Sequence, residues 1–142
     1  MTTVQQIFDM AIHLMDEQNE STGQTVTVDT KEYRSRTISI LNSVIPVLQV
    51  YNSDYRPTLS GRPRVRQLAW DNYAEPNFEQ SIPLDDALSL GLLPYYLAAQ
   101  LLSAENEALS AWFMNRYREF FMEIRDKTPA SFEKLVSPYG SF

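Results

Sequence analysis

The residues best suited to acid–base or metal chemistry lie near the start of the chain, around its single histidine. His13 lies one helical turn after Asp9 and one turn before Asp16 and Glu17. On a helix this spacing would let the four side chains share a face and hold a metal ion. The same spacing arises on any solvated helix face, and we favour that interpretation. We therefore predict no metal site and no other cofactor.

A second candidate for chemistry is the pair Asp85-Asp86. Two carboxylates can act as acid and base, as they do in glycoside hydrolysis. Adjacent residues on a helix do not face each other, however, and acidic side chains suit the positive end of a helix dipole. We expect Asp85 and Asp86 to begin a helix, not to form a catalytic pair.

Motifs for nucleophilic or phosphate chemistry are missing from the sequence. It contains no G-x-S-x-G elbow, no G-x-x-x-x-G-K-[ST] loop and no G-x-G-x-x-G turn. The absence of cysteine removes thiolate metal sites, cysteine nucleophiles and disulfides, which favours folding inside a cell. We predict no catalytic residues and no enzymatic activity.

Four arginines are concentrated in the middle of the chain. Between residues 53 and 67 the only acid is Asp54, and the basic residues are Arg56, Arg62, Arg64 and Arg66. Guanidinium groups suit acidic protein surfaces or a nucleic-acid backbone, although a solvated loop that balances an acidic body is the alternative. We predict that these four arginines belong to an arm that contacts a neighbouring subunit or a partner.

The remaining charge is segregated along the chain. Residues 1–29 contain five acids and no Lys or Arg, and residues 68–102 contain five unopposed acids. The net charge of −6 argues against general nucleic-acid binding. A chain with such separated charges can be self-complementary head to tail, although simple solvation of the charges explains the pattern equally well.

The elements that must position these residues are helices. Apolar residues recur with helical spacing in four stretches, which predicts helices over about 3–18, 30–50, 85–102 and 103–127. Pro46 predicts a kink or an early end in the second helix. Gly91 and Pro94 predict a break in the third, with a new helix near Leu93 as an alternative. Ser103 is expected to cap the fourth.

Two of these helices have clearly predicted apolar faces. The face of the first helix comprises Val4, Ile7, Phe8, Ala11, Leu14 and Met15. The broad aromatic face of the fourth comprises Leu109, Trp112, Phe113, Tyr117, Phe120, Phe121 and Ile124. Each face predicts one buried side of a helix.

Residues 52–83 form a linker that is too long for a plain connection in a compact domain. Weak alternation in residues 64–70 and 78–82 favours a short β-hairpin within this arm. Residues 128–142 form a tail whose Phe132, Leu135 and Tyr139 are predicted to dock on a neighbour. The predicted fold is thus mainly α: a single, four-helix bundle-like domain over residues 1–142 with a long central arm.

No membrane segment or secretion signal is expected. The start of the chain has no basic residue ahead of an apolar run. The longest uncharged apolar stretch, residues 87–102, is shorter than the roughly 20 residues that a bilayer requires. A buried helix explains this stretch better.

The order of several segments resembles the small helical head–tail connector proteins (adaptor or head-completion proteins) of tailed bacteriophages and prophages. The most specific pieces are Leu93-Pro94-Tyr95-x-Leu97-Ala98-Ala99 and Phe113-x-x-Arg116-Tyr117. The more general pieces lie at 4–11, 16–17, 32–42, 84–86, 92–102 and 106–117. The resemblance spans about residues 3–125 and does not include the linker or the tail.

This resemblance implies a structural protein of the virion neck, assembled in the cytoplasm of the bacterial host. Its expected partners are further copies of itself in a ring, the portal protein, a tail or stopper protein, and DNA that passes through the channel without sequence-specific binding. Such a protein has no catalytic residues. The alternative that remains open is a small helical binding or regulatory protein for a peptide, a ligand or nucleic acid. A basic stripe built from Arg34, Arg36 and the arm arginines would favour that alternative.

Overall fold

A computed structural model describes residues 1–17, 20–53, 55, 66–69 and 76–127. It contains four α-helices, α1 (Val4–Met15), α2 (Lys31–Leu48), α3 (Asp86–Leu102) and α4 (Glu107–Asp126), and a 3-10 turn at Gln49–Tyr51. The predicted mainly helical, bundle-like class is confirmed. Helix α3 is central, because it packs against each of the other three helices. None of the helices in the described part of the chain has the length and apolar character that a membrane span requires.

Helix α1 begins with a capping box, in which the side chains of Thr3 and Gln6 each accept the backbone N–H of the other residue. The backbone N–H of Gln6 donates to Thr3 Oγ1, and the backbone N–H of Thr3 donates to Gln6 Oε1. The helix ends where Asp16 adopts a left-handed backbone with φ of 59°. The predicted buried face is correct except at Leu14, which is exposed, while Ile12 is fully buried.

The prolines of α2 and α3 do not break their helices. Helix α2 continues past Pro46 to Leu48 and only then tightens into the 3-10 turn. Helix α3 runs uninterrupted through Gly91 and Pro94, so the predicted break is wrong. Six buried leucines explain this outcome, because burying one contributes about 1.5–3 kcal/mol and a helical proline costs about 3 kcal/mol.

The start of α4 lies later than the sequence predicts. Its N-cap is Asn106, whose Oδ1 accepts the backbone N–H of Leu109 at 3.1 Å. Ser103 instead closes α3, where its hydroxyl donates to the carbonyl of Gln100. Only Phe113 of the predicted aromatic face is fully buried.

The predicted hairpin of the linker is also wrong within the described residues, which hold a single isolated β-bridge. That bridge joins Ser81 to Thr3, so the segment before α3 pairs with the N-terminus and forms no ladder with the described residues 66–69. Parts of the described linker belong to the core. The apolar side chains buried there are Leu68, Phe78 and Ile82 of the linker, together with Leu84 directly after it.

Candidate interaction surface

The four residues around His13 do not assemble a metal site. Asp9 accepts hydrogen bonds from Gln5 Nε2 at 2.6 Å and from the Thr25 hydroxyl at 2.5 Å. His13 Nε2 lies 3.4 Å from the carbonyl oxygen of Gly23. The Asp9 and His13 side chains thus hold the loop around Gly23 and Thr25 against α1. Across the described ranges, no three His, Asp or Glu side chains come together as metal ligands.

Asp85 and Asp86 each hold a different segment of the chain against the start of α3. Asp85 accepts hydrogen bonds from the backbone N–H of Ser53 at 2.7 Å and from its hydroxyl at 3.2 Å. Asp86 accepts hydrogen bonds from the hydroxyl of Thr2 at 2.8 Å and from its backbone N–H at 3.2 Å. These bonds lower the pKa of Asp86 below its ordinary value. Asp85 occupies the N-cap position as predicted, but its side chain makes no capping hydrogen bond.

Side-chain amides of α2 and its 3-10 turn hold the linker in place. Asn42 Oδ1 accepts the backbone N–H of Leu68 at 2.9 Å, and Asn42 Nδ2 donates to the Leu68 carbonyl at 3.1 Å. Gln49 does the same for Arg66, with distances of 3.1 and 2.7 Å. Each amide therefore replaces the two hydrogen bonds that a neighbouring strand would supply. We call the contacts made by the side-chain amides of Asn42, Gln49 and Gln80 the amide clamps.

The third amide clamp uses Gln80, in the segment before α3. Gln80 Oε1 accepts the backbone N–H of Ala69 at 2.8 Å, and its Nε2 donates to the Ala69 carbonyl at 3.0 Å. Residues 66–69 are thus fixed on two sides, by α2 and by the segment before α3. They divide the predicted arm into two stretches, 54–65 and 70–75.

Both ends of the arginine-bearing stretch 54–65 meet near the end of α2. On one side, Asn52 donates through Nδ2 to the Pro83 carbonyl and accepts the backbone N–H of Asp85. On the other, Gln49 holds Arg66, whose side chain is exposed and whose Nη2 lies 3.5 Å from the Pro83 carbonyl. Arg56, Arg62 and Arg64 lie outside the described residues. The structure therefore places the fourth predicted contact residue at the base of this stretch.

A separate apolar groove opens between α1, α3 and α4. It encloses about 580 Å³. Its apolar and aromatic walls comprise Met10, Leu14, Leu90, Gly91, Tyr95, Phe120 and Ile124. Gly91 brings α3 close to α4, since a Cβ placed on it would lie 3.7 Å from Ile124 Cδ1. The Tyr95 and Phe120 rings pack at 5.2 Å between centroids and close one side.

The groove is open to solvent at its apolar rim. Met10 and Leu14 are each 38% exposed, and Leu90 is 41% exposed. The polar lining consists of His13 and Glu123. Three large apolar side chains around one opening favour macromolecular contact more than isolated exposed residues do.

Arg34 and Arg36 are both occupied within the molecule. The Arg34 guanidinium lies 4.1 Å from the centre of the Phe78 ring and 5.5 Å from that of Phe8, and burial lowers its pKa. Arg36 pairs with Glu32 at 2.6 Å and donates to the Leu101 carbonyl at 3.2 Å. These contacts leave neither residue as a simple solvent-facing cation.

Sequence reasoning missed both the amide clamps and the groove. Asn42, Gln49 and Gln80 look like ordinary solvated residues, because nothing local shows which backbone groups they meet. A weak signal for the groove did exist in α1, where Met10 and Leu14 add apolar surface to either side of the buried stripe. An apolar face wider than one stripe indicates a helix with more than one neighbour.

The chain was compared with models of protein families, with curated proteins and with solved structures. None of the three comparisons found a match.

Proposed function

We propose that this protein is a head–tail connector, or adaptor, of a tailed bacteriophage or prophage. Copies of the chain form a ring that docks on the portal, extends the DNA channel and joins the head to the tail or stopper protein. The protein acts by contact and needs no catalytic residue. Its place of action is the neck of the virion, after assembly in the host cytoplasm.

The observation that carries the proposal is the fixed base of the arginine-bearing stretch. The amide of Gln49 holds Arg66 at one end, while Asn52 and Ser53 are held by the start of α3 at the other. In the sequence, Arg56, Arg62 and Arg64 stand between these two held ends. This arrangement lowers the entropy that a contact with a neighbour must overcome.

The charge distribution supports a head-to-tail ring. Residues 54–66 contain four arginines and one acid, whereas α1 and the following loop contain acids and no Lys or Arg. In a closed heterologous interface, the same two unlike surfaces meet at every subunit boundary. Opposite charges on those surfaces would set the register and discourage wrong contacts.

A nucleic-acid-binding function receives no comparable support. It would require Arg34 and Arg36 to join the linker arginines in a basic stripe. Arg34 is instead half-buried against two aromatic rings, and Arg36 is paired with Glu32. DNA contact in the channel of a ring needs no such stripe.

The proposal is tested by charge reversal in the arginine-bearing stretch. A triple variant, Arg56→Glu, Arg62→Glu and Arg64→Glu, leaves every described clamp intact. We expect it to keep its helical circular dichroism spectrum but to lose ring formation and binding to portal particles of the same virus. Native mass and negative-stain microscopy, with and without portal particles, measure both properties.

The matched control reverses three exposed charges at the end of α4: Arg118→Glu, Arg125→Glu and Lys127→Glu. Each triple variant changes three charges by two units, so both take the net charge from −6 to −12. The control should still assemble. If the linker variant joins portal particles as well as the wild type does, the arginines do not make the contact. If the wild-type protein neither forms rings nor binds portal particles, the connector proposal is wrong.

A further inference from the structure

We propose that one edge of α4 binds the same edge of a second copy of this chain, with the two helices antiparallel and Trp112 of each copy seated in the apolar groove of the other. The contact is isologous, so it closes at two copies. It uses α4 and the groove, and the arginine-bearing stretch takes no part in it. The inference therefore does not depend on the connector proposal.

Four residues stand in one row along the side of α4 that borders the groove, and we call this row the α4 edge. Trp112, Arg116, Glu119 and Glu123 are separated by four, three and four positions, the spacing of a seam between two packed helices. Glu123 also lines the groove. Trp112 is 51% exposed, and the side chains of Arg116 and Glu119 are 43% and 61% exposed. The row therefore offers a solvent-facing track for a second helix.

The charges of the α4 edge are complementary to a second copy that runs in the opposite direction. When Arg116 lies opposite Glu119 of the second copy, the two-fold axis repeats the same pair. Arg116 Nη1 already lies 3.2 Å from Glu119 Oε2 within one chain, so the four charges alternate around the axis. A parallel pair in register would instead set Arg116 against Arg116 and Glu119 against Glu119, and such like-charge contacts are disfavoured.

The same register places Trp112 opposite Glu123 of the second copy. This follows because Trp112 precedes Arg116 by four positions and Glu123 follows Glu119 by four. Since Glu123 borders the groove, the indole meets the three exposed apolar side chains of the groove's rim. Its N–H, which can only donate, faces a carboxylate. Tryptophan in an apolar pocket is typical of the residues that dominate binding energy.

The central arginine is already held in position for this contact. Its guanidinium lies 5.5 Å from the centre of the Trp112 ring and 5.3 Å from that of Phe120. Because Arg116 is held by two rings and by Glu119, it loses less side-chain entropy on binding than a free arginine would.

The pair should be weak and reversible. A contact made of one helix edge and one groove buries less surface than a permanent dimer does. It adds to stability only at protein concentrations above its dissociation constant. Unfolding measurements on dilute protein therefore report on the single chain.

Charge reversal in the full chain tests the pairing. Sedimentation and native mass are measured from micromolar to millimolar concentration, and we expect the 16.4 kDa wild type to reach twice its mass. Arg116→Glu alone brings four acids together, and Glu119→Arg alone brings four arginines together. We expect either change to raise the dissociation constant at least about tenfold, because like charges then face each other. Circular dichroism checks that each variant keeps its helices.

Two rescues separate a specific contact from a general effect of charge. The double variant, Arg116→Glu with Glu119→Arg, keeps the net charge of −6 and restores the alternation, so it should pair like the wild type. An equal mixture of the two single variants, one of them isotope-labelled, should form pairs that contain one copy of each. Arg118→Glu is the matched control for Arg116→Glu. Its exposed side chain lies two positions from Arg116 and so faces away from the α4 edge, and the pairing should be unchanged.

The groove is tested by Trp112→Ala and by Leu14→Glu at its rim. We expect each to raise the dissociation constant at least about tenfold, because a hot-spot side chain or its pocket is lost. Met122→Ala is the control for the tryptophan, since Met122 is also on α4, is 47% exposed and lies outside the α4 edge. This control should pair normally.

A wild-type protein that remains a single chain at every concentration would overturn the proposal and leave the groove to another occupant. Pairing that survives the single charge reversals, or that neither rescue restores, would also overturn it. Assemblies larger than two copies that ignore all of these changes would point to a different contact, such as that of the proposed ring. None of these measurements involves portal particles, so failure here leaves the connector proposal standing.

Discussion

Helices α1 and α4 are both amphipathic, yet they bury very different shares of their surface. Six of the 12 residues of α1 are buried, against one of the 20 residues of α4. Helix α1 is enclosed by α3, by Arg34 of α2 and by the segment around Phe78, whereas α4 packs chiefly on α3. The difference shows that an apolar stripe reports the presence of a neighbour, but not how many neighbours there are. Both helices, together with α3, contribute side chains to the groove.

The largest expected effect is a loss of stability in α1, the more buried of the two helices. Phe8 on α1 is fully buried, and its ring packs edge-on against Phe78 at 5.3 Å. We expect Phe8→Ala to lower the free energy of unfolding by about 3–5 kcal/mol, because a cavity remains where the ring was. The exposed ring of Trp112 on α4 is the matched control, and Trp112→Ala should cost less than about 1 kcal/mol. Urea denaturation measures both, and similar losses would show that α4 is as enclosed as α1.

The second prediction compares two asparagines, Asn42 on α2 and Asn115 on α4. Asn42→Ala removes both hydrogen bonds to the backbone of the buried Leu68, so we expect a loss of about 1–3 kcal/mol in the free energy of unfolding. Asn115 is exposed, and Asn115→Ala should stay within about 0.5 kcal/mol of the wild type. Thermal and urea unfolding provide the measurement. A neutral Asn42→Ala would mean that the amide clamps contribute nothing to stability.

The third prediction concerns alkaline pH and the partly covered aromatic face of α4. Burial raises the pKa of Tyr117 to about 12, with smaller contributions from Tyr96 and Tyr51. The folded state then holds the phenolic proton more tightly than the unfolded state, whose pKa is about 10. This stability is fully present below pH 10 and is lost as the pH rises towards 12. Because the ring is only partly buried, we expect a loss on the order of 1 kcal/mol.

The matched variant for this pH dependence is Tyr117→Phe, which keeps the ring and removes the ionising group. Urea unfolding at several pH values between 9 and about 11.5 should give a shallower decline for the variant than for the wild type. Parallel declines would show that the phenol of Tyr117 is not shielded by its neighbours on α3 and α4.

The smallest expected effect is a gain, at the point where α3 faces α4. Gly91 has helical geometry, and an added Cβ would meet Ile124 at an ordinary contact distance of 3.7 Å. Gly91→Ala should therefore stabilise the protein by about 0.5–1 kcal/mol, through helix propensity and a more restricted unfolded chain. Gly23, with φ of +70°, is the control, and Gly23→Ala should destabilise. A loss with Gly91→Ala would show that α3 and α4 pack too closely there for a methyl group.

The fold was largely predictable from the sequence, and the errors have physical reasons. Helical periodicity located all four helices to within a few residues, and the position of Asp85 at the start of α3 followed from its acidic character. The predicted break at Pro94 was wrong, because the burial of leucines around it outweighs a local helix preference. Ser103 and Asn106 are both acceptable caps, and only the actual end of α3 decides between them.

The candidate interaction surface was predictable only in part. The composition of residues 53–67 identifies the arginine cluster, and the structure adds the contacts of Ser53 and Arg66 on either side of residues 54–65. The amide clamps were not predictable, because Asn42 and Gln49 find partners 17 or more residues away in the chain. The exposure of Leu14 was missed for the same reason: its apolar character does not reveal whether another element covers it.

The sequence by itself determined the mainly helical class, the approximate bounds of the helices, the segregation of charge and the concentration of arginines. These are local properties, since they depend on residue type and on spacing within a few turns. Only the tertiary structure decided that Leu68, Phe78 and Ile82 of the linker join the core, that residues 78–82 meet the N-terminus, and that a groove opens beside α4. Burial is a property of pairs of distant segments, so it is decided where those segments meet.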